Sequence, residues 1–268
     1  MLLVKNTQQR QETNRNFITF TKNRLMFFSL LLLFFSPTIN LNTAKVSIKS
    51  QHVNTADSIP NYKVTYLSKN DIRIDGDVNE KSWHRCEVIK NLSAPWDSVA
   101  AGTARFRACY DENFFYFSFQ VTDSIALYLE EKNEEAVAKG DRVEVFFSPD
   151  TAMSNYYCLE IAPNGNLLDY QASYHRNFNS TWNIEGAEIV GKPNANGYMV
   201  EGKIPVGFLK TLKGIDGSLK GAIIRGGVFR ARKKSTANPE GFIWYSWINP
   251  HVASPDFHIP SALGQFEF

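Results

Sequence analysis

Between Ala104 and Val121 the chain alternates with a period of two. Ala104, Phe106, Ala108 and Tyr110 interleave with Arg105, Arg107 and Cys109. After the polar turn Asp111-Glu112-Asn113, Phe115, Phe117, Phe119 and Val121 interleave with Phe114, Tyr116, Ser118 and Gln120. A period of two places such residues on one side of a strand and would scatter them around a helix. Two runs of this kind around a short polar turn read as a β-hairpin. One face is apolar and the other mixed, as expected of a sheet packed against a second sheet.

A second strand is punctuated at both ends, with Gly140 before it and Ser148-Pro149-Asp150 after it. Val143, Val145 and Phe147 fall on one side, and Arg142, Glu144 and Phe146 on the other. Glu144 is a carboxylate in mid-strand among branched and aromatic residues. A charge there must be paired, face water or meet a polar ligand. Tyr156–Ala162 and Leu167–Ser173 read as a further hairpin around Pro163-Asn164-Gly165-Asn166, and Lys63–Lys69, Asp71–Asp77, Tyr198–Ile204, Ala222–Arg232, Gly241–Ile248 and Leu263–Phe268 as more strands. Short helical turns are expected at Asn79–Arg85, with Trp83 inward, at Glu130–Ala138 and at Val206–Leu212. Strands at short spacing without βαβ alternation predict an all-β fold. The expected architecture is one antiparallel, jelly-roll-like β-sandwich of roughly ten strands over residues 61–268.

Leu25 to Phe35 is apolar apart from Ser29, follows Lys22 and Arg24, and precedes Ser36-Pro37. It is too short to span a bilayer but matches the apolar core of a secretory signal. Residues 1–44 are therefore expected to be a targeting segment and 45–60 a polar linker. The protein is expected to be exported, to a periplasmic, cell-surface or secreted location. Residues 1–44 hold five bases and one acid, so without them the formal charge turns from +2 to −2. With no cluster of Lys and Arg among aromatics, that balance argues against a nucleic-acid partner.

Cys86, Cys109 and Cys158 allow at most one intrachain disulfide, and their spacing is not that of a zinc site. Buried, unpaired thiols are the expectation. Asp75, Asp77, Asp111 and Asp123 lie near turns and leave structural calcium open, without the spacing of a calcium loop. No cofactor is expected to be required.

The succession of motifs is itself informative. Ile74-Asp75-Gly76 and Trp83 come first, then the aromatic hairpin, then Gly140-Asp-Arg-Val-Glu-Val-Phe146. Gly197-Tyr-Met-Val-Glu201, Ile204-Pro205, Trp247 with Asn249-Pro250, and Pro260 to Gly264 follow. This order resembles carbohydrate-binding module family 9 and its relatives, from about Tyr62 to Phe268. The resemblance implies a sugar-binding β-sandwich of the kind attached to glycoside hydrolases, sometimes holding structural calcium. It also implies a clamp of two Trp rings around the sugar, but the matching positions here are Ala138 and Phe257. Glu144 matches a sugar-contacting position of the family, and an expected Arg on the next strand is replaced by Glu160.

Read from the residues alone, the stretches Tyr174–Asn183 and Trp247–His258 mix aromatic rings with planar polar groups. Such rings can stack on sugar C–H faces, and such groups can bond sugar hydroxyls. Together with Glu144 and Phe257, the expected ligand contacts are His175, Trp182, Arg230, Arg232, Trp247 and His258. A glycosidase would need two carboxylates flanking the scissile bond, for which Asp141, Glu144, Glu160 and Asp169 are available, or His175 with Asp169 or His258 with Asp256 as base and orienter, but no catalytic motif accompanies them. A haem-carrying electron-transfer sandwich would need Met153 or Met199 opposite a His. The expectation is a non-catalytic glycan-binding protein that works beside separate glycoside hydrolases.

Overall fold

The computed structural model describes residues 59–90, 92–98, 102–237 and 241–268. The expected targeting segment and nearly all of the linker lie outside the described residues. In chain order the strands begin with β1 (Asn61–Lys63), β2 (Thr65–Tyr66), β3 (Thr103–Tyr110) and β4 (Phe114–Thr122). Helix α1 (Glu134–Lys139) precedes β5 (Arg142–Ser148), β6 (Tyr156–Ile161), β7 (Leu167–Ser173) and β8 (Asn177–Asn179). There follow β9 (Glu188–Asn194), β10 (Gly197–Pro205), helix α2 (Val206–Lys213), β11 (Ile223–Lys233), β12 (Phe242–Ser246) and β13 (Gly264–Glu267).

These strands form two sheets. One runs β1-β13-β11-β5-β6-β7-β8, with β12 also pairing on β11, and the other runs β2-β3-β4-β10-β9. The β-sandwich is antiparallel except for two short pairings, β1 with β13 and β2 with β3, which are parallel. The stretch Asp71–Asp77, expected as a strand, is irregular, and β8 and β9 lie where no strand was expected. Strand β8 is fully exposed and β9 half-exposed, so neither shows the apolar alternation that marks a buried face.

Between the sheets, the inward residues of β3 and β4 meet Val143, Val145 and Phe147 of β5 and Val200 and Ile204 of β10. Gly202 lies opposite Phe117 in register, and a Cβ there would fall 2.3 Å from the Phe117 ring, so the bare backbone lets the ring lie across β10. At the β3–β4 turn, Asp111 Oδ1 accepts from the backbone N–H groups of Asn113 and Phe114, at 2.8 and 2.9 Å. This Asx geometry is why an Asp fits there.

The outer faces of both sheets are covered as well. Leu67, Trp83, Cys86, Cys109 and Tyr116 pack outside the five-stranded sheet. There the fully buried Glu201 carboxylate accepts from Trp83 Nε1 at 3.0 Å and from the N–H groups of Gly76 and Asp75 at 2.7 and 3.1 Å. Three of the spaced sequence motifs are thus joined by one side chain. Outside the eight-stranded sheet, Phe146, Tyr156, Cys158, Tyr170 and Phe229 are covered by Met153, Phe257 and Leu263. All three cysteines are buried and unpaired.

Candidate functional site

Strand β5 is the centre of the site because both its neighbours, β11 and β6, bring bulk or charge to the same face. In register, Glu144 lies between Phe229 of β11 and Glu160 of β6. The face carrying Arg142, Glu144 and Phe146 is the outer one. Here the segment before β13 folds back over the sheet and leaves a cleft of about 180 Å³. Arg142, Glu144 and Glu160 form its floor, and Arg176, Trp244 and Asp256 stand around it with Phe257 and His258.

The floor is electrostatically uneven. Arg142 Nε donates to Glu160 Oε2 at 2.5 Å, and the Tyr170 hydroxyl donates to Glu160 Oε1 at 2.7 Å, so both oxygens of Glu160 are engaged. Arg142 Nη1 turns to the carbonyls of Ala138 and Gly140, and its guanidinium lies over the rings of Phe242 and Trp244, 5.4 and 5.5 Å from their centroids. Glu144 Oε1 is 3.1 Å from Arg142 Nε but accepts no hydrogen bond, although Glu144 is only 2% exposed. Burial pushes the Glu144 carboxyl up to about 8, and the neighbouring Glu160 charge pushes the same way against the pull of Arg142.

The rim is organised by Asp256. His175 Nε2 meets its Oδ2 at 2.8 Å, and Arg176 Nη2 and the backbone N–H of His258 bond its Oδ1 at 2.8 and 2.9 Å. The His258 ring packs between aromatic groups, with Nδ1 3.0 Å from the Tyr156 hydroxyl. Burial, helped by the Arg176 charge, drives its pKa down to about 3, so it is neutral at neutral pH. Phe257 stacks on Phe229 with centroids 4.1 Å apart and is buried, so it floors the cleft and offers no open clamp face. The half-buried Trp244 ring stands edge-on to it, 5.6 Å away.

The structure therefore brings Glu144, Phe257 and His258 together in the cleft and sets His175 behind its rim. Four other expected contacts lie elsewhere. Arg230 and Arg232 occupy the opposite face of β11, where Asp123 binds both, each at 2.5 Å, and Arg230 is fully buried. Trp182 packs with Tyr157 and Phe208 against the core between the sheets, and Trp247 stacks on the core ring Phe266 at 6.1 Å. These four cannot reach the cleft because the eight-stranded sheet stands between. Asp169 also faces away from His175, accepting from the Ile184 N–H at 2.5 Å. Ala138 is exposed and lines a separate, larger cavity of about 450 Å³ with Leu127, Tyr128 and Phe242.

Arg142 and Trp244 are cleft residues that were not expected as contacts. Period-two alternation does find them, because Arg142 shares the face of Glu144, while Phe242 and Trp244 alternate with Ile243 and Tyr245 along β12. Among the described residues no three His, Cys, Asp or Glu side chains converge as a metal site. Of the acids near turns, Asp123 is held by two arginines and Asp77 by Lys192 at 2.5 Å.

A family model described as carbohydrate family 9 binding domain-like matches residues 74–242, more than half of the chain. The chain belongs to this family. Solved structures agree on the fold. One is a provisionally named carbohydrate-binding protein from Bacteroides uniformis, 18% identical with a TM-score of 0.62, covering 79% of this chain and 100% of that one. Another is a family 9 carbohydrate-binding module from Caldicellulosiruptor kristjanssonii in complex with cellotriose. It is 17% identical with a TM-score of 0.54, over 78% of this chain and 93% of that one. A module from the same organism in complex with glucose is 18% identical with a TM-score of 0.51, over 78% and 95%. No curated protein sequence matches the chain. The family 9-like chain thus has the fold of a carbohydrate-binding module.

Proposed function

We propose that this family 9-like chain is an exported, non-catalytic protein that binds the end of a glycan in the cleft on the outer face of the eight-stranded sheet. One observation carries the reading. A buried carboxylate oxygen of Glu144 lacks a hydrogen-bond donor at the floor of a cleft walled by the half-buried Trp244 ring. A sugar supplies what both lack: hydroxyl donors for the carboxylate and a C–H face for the ring. The cleft, at about 180 Å³, is smaller than the ~300–1,000 Å³ usual for drug-sized ligands, which suits one terminal ring better than a chain passing through. That two family members were solved with cellotriose and glucose supports sugars as the ligand class.

Binding is favoured over cleavage by the state of the carboxylates. Glycosidases place two carboxyl groups on either side of the scissile bond. Here Glu144 and Glu160 sit side by side on paired strands, and Glu160 is fully engaged by Arg142 and Tyr170. The apolar run Leu25–Phe35 supports export, and a binding protein without its own hydrolytic pair would serve separate glycoside hydrolases. Affinity electrophoresis of the full chain through gels containing plant, microbial and host glycans tests the reading. Retardation by at least one glycan, relieved by Trp244→Ala, is expected; free migration of folded protein through every gel would refute it.

A further inference from the structure

With both of its carboxyls ionised the floor of the cleft is short of one positive charge, so without a ligand burial keeps the proton on Glu144 at neutral pH. Glu144 and Glu160 are direct cross-strand neighbours, both buried, and among the described residues only one guanidinium, that of Arg142, lies between them. Its Nε is committed to Glu160, and its Nη1 to two backbone carbonyls. The other cation at the cleft, Arg176, is bound to Asp256 at the rim, as is His175, while His258 stays neutral. Glu144 Oε1 is thus left with neither a donor nor a full counter-charge.

Ligand groups differ in how much of this they supply. A sugar hydroxyl or an acetamido N–H donates a hydrogen bond but brings no charge. An ammonium group donates and also offsets the charge left when Glu144 releases its proton to solvent, the arrangement that makes a buried charge tolerable. We infer that the cleft is built for a sugar carrying a free amine, whose ammonium bonds Glu144 while the ring stacks on Trp244. This rests on the glycan-binding reading and narrows it to amino sugars.

Calorimetric titration of the full chain at neutral pH and physiological salt tests it with four probes: a glucosamine disaccharide, its N-acetylated form, cellobiose and free lysine. The inference expects the glucosamine disaccharide to bind at least tenfold more tightly than the other three. It expects that ratio to collapse towards one in Glu144→Gln, whose amide has no charge to neutralise. Cellobiose or the acetylated sugar binding as tightly as the amine would overturn the inference and leave the glycan reading intact. Free lysine binding equally well would overturn it too, by showing that charge alone is read. An amine preference that persists in Glu144→Gln would place the recognition elsewhere and also refute it. No heat with any sugar, for protein shown to be folded, would count against glycan binding itself.

Discussion

Replacing Arg142 with Met tests the electrostatics of the cleft without removing bulk. Among the described residues Arg142 is the only cation bonded to Glu160, and it stands 3.1 Å from Glu144, with all three side chains buried. Removing one partner of a buried ion pair costs about 3–5 kcal/mol, because the remaining charge is stranded. The cost should depend on pH. A carboxyl whose pKa is higher in the folded state than in the unfolded chain, where it is near 4.3, carries no penalty below that value. Stability then falls as pH rises towards the folded-state pKa, by about 1.4 kcal/mol per pH unit for each such group. In the wild type Glu144 behaves in this way, up to about pH 8. Without Arg142, the buried Glu160 carboxylate also loses its counter-charge. The difference between variant and wild type should therefore be about 1 kcal/mol at pH 5 and about 3–5 kcal/mol at pH 7.5. Comparing the two proteins cancels groups of opposite sign, such as Asp123 and Asp256, which are held below their usual values by their hydrogen-bond partners. Urea denaturation at both pH values measures the difference. The double variant Arg142→Met/Glu160→Met should recover most of the loss. A penalty below ~1 kcal/mol at pH 7.5, or the same penalty at both pH values, would refute the view that Arg142 neutralises a buried carboxylate pair.

Other perturbations separate the site from the scaffold. Trp244→Ala should weaken glycan binding by about 1–3 kcal/mol in titration calorimetry, while Trp182→Ala should lower the melting temperature and leave the affinity unchanged. Glu201→Gln turns an amide N–H towards the Trp83 indole or towards two backbone donors, and should cost about 1–3 kcal/mol in denaturant unfolding. Combined with Trp83→Phe, which removes one of those donors, the losses should sum to less than the singles by ~1 kcal/mol. Gly202→Ala puts a methyl group 2.3 Å from the Phe117 ring and should destabilise by about 1–3 kcal/mol with no effect on binding, read by the same two assays.

What the sequence shows of this protein follows from which contrasts are local. The faces of β5 are legible because Val143, Val145 and Phe147 differ in kind from Arg142 and Glu144, and the structure places the two sets on opposite sides of the sheet. The faces of β11 are not, because the eight-stranded sheet is covered on both sides. Ile223-Ile-Arg-Gly-Gly-Val-Phe-Arg-Ala-Arg232 puts arginines on both faces, Arg225 outward and Arg230 inward, and both are buried. Nothing local distinguishes a guanidinium held between the sheets by Asp123 from one reaching a ligand. For the tryptophans the deciding partners are distant in sequence, Phe208 for Trp182 and Phe257 for Trp244. The motifs that make the family legible belong to a different surface. Ile74-Asp75-Gly76, Trp83 and Glu201 close over the five-stranded sheet, and the cleft opens on the far face of the other sheet. The two share no side chain, so substitutions in one should add energetically to substitutions in the other. That separation fits Ala138 and Phe257 standing where the family resemblance implies a tryptophan clamp while the fold still matches. The scaffold meets the cleft through β5, β6 and β12, and on β5 Glu144 keeps a buried carboxyl oxygen without a hydrogen-bond partner beneath it.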